Sequence, residues 1–228
     1  MVTEVETLRN LSLFRDLPDK VLARLTKRAR QRRIAPGEAV FQQGETAHSF
    51  YLLLSGRLKV TQVTEEGQQL VVRVVYPGDL FGFARALNRP DYPGTSRAAV
   101  NSEIVGWPMP EWDTIVESNP RLALNAIQTI GQRLDEAHTR LREMSTQDVE
   151  RRVAHAVLRL IRQAGRREGE GIRIDFPISR QDIAEMTGTT LHTVSRILSG
   201  WEGRGLVRGG RQRITVLDVD GLGRIAEP

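Results

Sequence analysis

A chain of 228 residues, 39% hydrophobic and 27% charged, has the balance of a folded soluble protein and the length to bury two separate cores. It contains no cysteine, which excludes disulfides, thiolate catalysis, cysteine-bound zinc and cysteine-held iron–sulfur clusters. The net charge of +5 favours polyanions only mildly, so the placement of charge says more than its sum.

The N-terminus lacks a basic-then-apolar signal pattern, and no apolar run approaches the roughly 20 residues of a membrane span. A cytoplasmic protein without a membrane partner is expected. Residues 8–33 read as one or two short helices, with Leu17, Val21, Leu22 and Leu25 as the buried stripe and Pro18 in the first turn of the second helix. The basic run "RLTKRARQRR", Arg24 to Arg33, is expected on the solvated face of that helix.

From Ile34 the pattern changes to short β-rich runs, among them Phe50–Leu54, Leu58–Val63 and Leu70–Tyr76. Gly37, Gly44, Gly56, Gly67 and Gly78 punctuate them. Short strands at such spacing predict a β-barrel or jelly roll. Glu45, Glu65, Glu66 and Asp79 fall in its turns and are read as solvated.

Helical periodicity returns near Pro110. Between Arg121 and Met144, apolar residues recur at Ala123, Ile127, Ile130, Leu134, Ala137, Leu141 and Met144. Gaps of three and four sustained this way make a coiled-coil seam, and its simplest partner is a second copy. Ile127, Ile130, Leu134, Ala137, Leu141 and Met144 are the predicted dimer interface. The domains are then 1–110, 111–146 and 147–228.

The last segment predicts a helix over Val149–Gln163, a loop "AGRREGEGIR" and a short strand Ile172–Phe176. Ser179 caps the next helix, with Asp182 in capping-box register, and Gly188 ends it. A further helix runs from the Thr189–Thr190 cap to about Arg204, and Gly209–Gly210 joins two strands, Leu206–Arg208 and Gln212–Leu217. Helix, tight turn, helix and hairpin is the winged helix-turn-helix order. Leu191, Val194, Leu198 and Trp201 are expected to dock the second helix. His192, Ser195, Arg196 and Ser199 lie roughly opposite. Short polar groups around one arginine suit the floor of a DNA major groove, where a guanidinium matches guanine O6 and N7. Thr189 and Thr190 at the helix start suit a phosphate, and Arg208, Arg211 and Arg213 on the wing suit sequence-blind phosphate contacts. Five arginines and one acid, Glu202, between Thr189 and Arg213 support double-stranded DNA as the partner.

These motifs, with "LFRDLP", "GEAVFQQGE", "FYLLLSGRLKV" and "EEGQQLVVRVVYPGDLFG", resemble the CRP/FNR superfamily of bacterial transcription regulators over nearly the whole chain. The resemblance implies an α+β fold: an N-terminal β-roll (a cyclic-nucleotide-binding-like jelly roll), a long dimerisation helix and a C-terminal winged helix-turn-helix. It also implies a homodimer on a palindromic operator, RNA polymerase as a further partner, and a signal received at the β-roll. Ser195 and Arg196 fall on its base-contacting positions, while His192 stands where many relatives carry glutamate. An effector pocket is implied at Phe81, Gly82, Phe83, Ser96 and Arg97. Relatives that bind cyclic AMP carry Gly-Glu and Arg-Ser/Thr pairs there. Here Gly82 is followed by Phe83, and the second motif reads Thr95-Ser96-Arg97-Ala98, which speaks against a cyclic nucleotide. "AHSFYLLLSG" and "TTLHTVSRILSGWE" look most like the nitric-oxide-responsive (NnrR/DNR-like) branch, which implies haem, an activator of nitrogen-oxide metabolism, and His48 or His138 as axial ligand. His155 and His192 lie in the DNA-binding segment.

Three other readings are weaker on the sequence. The first is a CRP/FNR-type regulator that needs no ligand. A cupin-like metalloenzyme needs several convergent histidines, and the predicted barrel has one, His48. An architectural DNA binder leaves the barrel without a role. The chain is not expected to be an enzyme.

Overall fold

The computed structural model describes residues 5–9 and 11–227. Its contacts divide the chain into two compact units, Met1–Gly67 with Val72–Ala137, and Gln68–Val71 with His138–Pro228.

The first unit opens with helix α1 (Val5–Arg9), a 3-10 turn at Ser12–Phe14 and helix α2 (Asp19–Arg28). Pro18 is the N-cap of α2, one position before the first helical turn expected for it. The second half of the basic run is not helical. It forms strand β1 (Arg30–Ile34), paired with β8 (Ser102–Pro108) from Arg30 opposite Gly106 to Ile34 opposite Ser102. The sequence reading carries the helix through this run, although Arg30, Arg32 and Arg33 do not keep a helical spacing. On an edge strand the same charges keep the open ladder in water and discourage further pairing.

Between them lie β2 (Ala39–Phe41), β3 (Ser49–Ser55), β4 (Leu58–Val63), β5 (Gln69–Val75), β6 (Leu80–Phe81) and β7 (Thr95–Ala98). They form two four-stranded sheets, ordered β1-β8-β3-β6 and β2-β7-β4-β5. The five punctuating glycines all sit in the left-handed region, at φ from 79° to 93°, where a side chain is disfavoured. One core cluster joins the helices to the first sheet. Phe50 stacks on Trp107 at 5.5 Å, and the Trp107 indole donates to the Leu25 carbonyl at 3.0 Å, fastening α2 to the roll. The other fills the roll around Phe41, Phe81 and Tyr92, with Phe41 and Tyr92 stacked at 3.9 Å. The buried Tyr92 hydroxyl donates to Ser49 O at 2.7 Å, and burial holds its proton well above the usual phenol range.

Helix α3 (Glu111–Ser118) leads into α4 (Pro120–Thr146). The start of α4 is anchored, because Leu122 and Ala126 are buried and the Asn125 amide donates to the Leu13 and Arg15 carbonyls at 3.0 and 2.9 Å. Beyond that point its apolar stripe is bare: Ile127 is 63% exposed, Leu134 55% and Leu141 62%.

The second unit holds α5 (Val149–Ala164), β9 (Gly165–Glu168), β10 (Gly171–Ile174), α6 (Arg180–Thr187), α7 (Leu191–Gly203), β11 (Val207–Gly210), β12 (Arg213–Val216) and α8 (Val219–Ala226). Three expectations are corrected. The loop after α5 is a β-hairpin that joins the wing sheet in the order β11-β12-β10-β9. Gly209 and Gly210 are strand residues opposite Ile214 and Arg213, and the turn falls at Arg211–Gln212, with Gln212 at φ 53°. Helix α8, capped by Asp218 accepting from the Gly221 amide at 2.7 Å, was not foreseen.

Candidate nucleic-acid interface and effector cavity

The α6–turn–α7 element is built by local chemistry. Ser179 accepts from the Asp182 amide at 3.0 Å, and Asp182 returns the bond from the Ser179 amide at 2.7 Å, which completes the capping box. Gly188 closes α6 at φ 61°, and the Thr190 hydroxyl caps α7 by accepting from the Thr193 amide at 3.2 Å. Val194, Leu198 and Trp201 then seat α7 on the core, with the Trp201 indole donating to Glu150 at 2.8 Å. Leu191 does not join them. It is 44% exposed, because the first turn of α7 projects past the core that the later turns cover.

On the outward side His192, Arg196 and Ser199 are exposed and Ser195 is half-buried, while at the helix start Thr190 is exposed and Thr189 half-buried. Several arginines of this unit are held by acids. Arg159 is ion-paired with Glu143 at 2.5 Å, Arg173 with Glu168 at 2.9 Å, Arg180 with Glu202 at 3.3 Å and Arg204 with Glu150 at 2.9 Å. Arg196, Arg208, Arg211 and Arg213 are exposed and have no ion-pair partner among the described residues. The only acid in the basic stretch, Glu202, is already engaged by Arg180. The α7 face and the wing thus carry bare cations where a polyanion would meet them, and Arg162, Arg166 and Arg167 are further exposed arginines without an ion pair among the described residues.

In the first unit, a cavity of about 310 Å³ opens in the roll beside α4. Apolar side chains dominate its wall, with Phe41, Val60, Phe81, Phe83 and Leu87 prominent. Of the expected effector residues, Phe81, Gly82 and Phe83 line it. Ser96 and Arg97 do not: Ser96 is fully buried, and Arg97 points outward to donate to Gly37 O at 2.5 Å. Alternation along β7 sends these neighbours to opposite faces. The wall at that level is Pro93 and Gly94. Its cations, Arg73 and Arg133, were missed by sequence reasoning, since neither lies in a motif and their positions converge only through the fold. Asp79, expected to be solvated, bridges the two. It accepts from Arg73 at 3.0 Å and makes a short ion pair with Arg133.

The chain was compared with known proteins. Residues 151–225 match the Crp-like helix-turn-helix domain, and residues 31–119 match the cyclic nucleotide-binding domain. The transcriptional regulator SdrP of Thermus thermophilus is 30% identical over 177 residues, covering 78% of this chain and 83% of that protein. The chain belongs to the CRP/FNR family of transcriptional regulators. It is also 25% identical to the CRP-like cAMP-activated global transcriptional regulator of Mycobacterium tuberculosis, over 97% of this chain and 99% of that one. The fold matches that of FixK2 from Bradyrhizobium japonicum, with a TM-score of 0.76 over 88% of this chain and 98% of that one at 20% identity.

Members of the CRP/FNR family bind DNA and are typically dimers. No described helix of this CRP/FNR regulator is long and apolar enough to cross a membrane. The cavity in the roll does not fit haem. His48 and His138 are both exposed and neither lines the cavity, whose wall offers no imidazole, thioether or phenol as an axial ligand. A cyclic nucleotide fits poorly too, because no carboxylate lines the wall to accept from ribose hydroxyls.

Proposed function

We propose that the chain is a homodimeric, sequence-specific regulator that reads a palindromic operator with α7 and answers a small molecule held in the roll. The carrying observation is that Arg196 on the α7 face and Arg208, Arg211 and Arg213 on the wing are exposed without an ion-pair partner among the described residues, while the one acid of that stretch, Glu202, is engaged by Arg180. Arg196 reads a guanine edge, with Ser195, Ser199 and His192 close to the groove floor. A neutral histidine at 192 offers one uncharged acceptor nitrogen where a carboxylate offers two charged oxygens, so the base beside it is chosen differently from relatives with glutamate. Thr189, Thr190, Arg208, Arg211 and Arg213 hold phosphates and set orientation.

The dimer is zipped along Ile127, Ile130, Leu134, Ala137, Leu141 and Met144. Their exposure is the support for this: a regular seven-residue alternation of bare Ile and Leu costs free energy in water and calls for a partner helix. RNA polymerase, on the resemblance, is the partner through which the bound dimer acts, in a cytoplasmic setting. The nitric-oxide reading through haem gains no support from the cavity residues.

Fluorescence anisotropy with cognate and scrambled duplexes tests the division of labour. Arg196→Ala is expected to cost about 1–3 kcal/mol on the cognate site and little on the scrambled one. Arg211→Ala is expected to weaken both alike and to reduce the slope of log affinity against log salt by about one phosphate contact. Equal behaviour of the two variants on both duplexes would overturn this assignment.

A further inference from the structure

The wing sheet continues past the two strands assigned to DNA. Its pairing runs from β11 through β12 and β10 to β9, and one row crosses it from edge to edge. Arg208 stands opposite Thr215, Thr215 opposite Arg173, and Arg173 opposite Arg166. Residues directly opposite in a ladder share a face, so these four side chains stand on one side of the sheet. Arg213, two residues before Thr215 on β12, stands there too. The other side carries the row Val207, Val216 and Ile172, whose two valines are buried in the core. The arginine side is therefore the outer one. A groove of about 540 Å³ lies over it, lined by Arg208, Arg211, Arg213 and Thr215 and, from β9, by Glu168.

Two acids share this face. Glu168 is held by Arg173 at 2.9 Å, and the exposed Asp175 follows β10 beside Arg211 and Arg213. Against them stand Arg166, Arg208, Arg211 and Arg213, all exposed and without an ion pair among the described residues. Glu170, at the turn of the β9–β10 hairpin, lies four residues from Arg166. That is roughly 13 Å along an extended strand, beyond the ~8–10 Å over which salt lets exposed charges act. The positive excess thus reaches from the wing to the far edge of the sheet. A charged edge also discourages strand pairing, but that role needs no alignment with Arg208 and no common groove.

We propose that the outer face of the wing sheet is a phosphate track that holds the DNA flanking each half-site, with Arg166 of β9 as its outermost contact. Neighbouring strands lie roughly 4.8 Å apart, so three steps place the β9 row about 14 Å from that of Arg208. A duplex strand carries a phosphate about every 3.4 Å of axis, and the track therefore spans about four base pairs beyond the wing. Contacts of this kind fix the course of the duplex without reading its bases. The inference rests on the regulator reading above and adds to it a binding role for β9, a strand outside the helix-turn-helix and the wing hairpin.

Fluorescence anisotropy on the full chain tests this with two duplexes, one ending at the outer edges of the half-sites and one with about ten further base pairs at each end. The long duplex is expected to bind tighter and with a steeper dependence of log affinity on log salt. Arg166→Gln is expected to leave the short duplex unchanged and to lower the slope on the long one by about 1.8, one phosphate from each of two subunits. Between roughly 50 and 200 mM salt, that makes the loss of affinity about twelve-fold smaller than in wild type. Arg166→Lys, which keeps the charge, is expected to retain the wild-type slope. Uncharged methylphosphonate linkages in the flanks are expected to remove the advantage of the long duplex for wild type, and scrambling the flank sequence to preserve it. The methylphosphonate arm decides the matter even if Arg166→Gln fails to fold. Equal binding of the two duplexes, an unchanged slope in a folded Arg166→Gln, or an advantage that survives neutral flanks would each overturn the track and leave the face to an acidic protein partner. Failure of the regulator reading looks different: the short duplex itself would bind no better than its scrambled counterpart.

Discussion

Arg196 lies near the middle of α7 and Arg204 is its C-cap, and by residue type nothing separates them. Their surroundings do: Arg204 sits 2.9 Å from Glu150, which also accepts from the Trp201 indole, whereas Arg196 has no acid partner among the described residues. Arg204→Ala is accordingly expected to leave the preference for cognate over scrambled duplex unchanged. Because both partners are about half exposed, it should cost only about 0–1 kcal/mol in urea unfolding. Residue types were legible in the sequence, and so was the polar face of α7. Pairing was not. Leu191 has the spacing of a core residue but stands in water, and Asp79 has the setting of a solvated turn acid but bridges two arginines. Those outcomes depend on neighbours distant in the chain, which periodicity does not sense.

Elements were legible where local chemistry decides them. The Ser179–Asp182 box and the Gly188 stop are written in adjacent residues and stand as expected. A Cβ on Gly188 would meet Met144 Cε at 2.8 Å, the far end of a flexible side chain that can move aside, so the penalty there is the backbone at φ 61°. Gly188→Ala is expected to destabilise the second unit by about 1–2 kcal/mol from the left-handed backbone alone. Its thermal unfolding should show this as a lowered midpoint for the transition of that unit. Elements held by tertiary pairing were harder to see. Strands β9 and β10 are rich in Arg, Glu and Gly, residues with little strand preference, and exist because β10 pairs with β12. Helix α8 contains Gly221 and Gly223, which lower helix propensity, and its burial of Leu222 and Ala226 compensates. In β1, a run of arginines without apolar alternation concealed an edge strand.

At the scale of the molecule, sensing and reading are assigned to separate units linked in sequence by α4. The bare stripe on that helix is the feature most in need of a partner. Leu134→Glu, at 55% exposure, removes nothing from the core of either unit but places a charge in the proposed seam. Sedimentation velocity is expected to show wild type as a dimer and this variant as a folded monomer, with operator affinity falling steeply as the second half-site contact is lost. A variant that stays dimeric would move the interface elsewhere. The sequence made the order of roll, long helix and winged head legible, because each has its own periodicity. It did not disclose the cavity wall, since Arg73 and Arg133 come together only when β5 and α4 are in place.

The most direct measurement is selection of binding sites by the full chain from a pool of random duplexes, repeated with Arg196→Ala. Two inverted half-sites centred about 10–10.5 base pairs apart are expected, with the variant losing preference at one base pair in each half. An enriched site without inverted repetition, or an unchanged motif from the variant, would contradict the account of a dimer that reads DNA through Arg196.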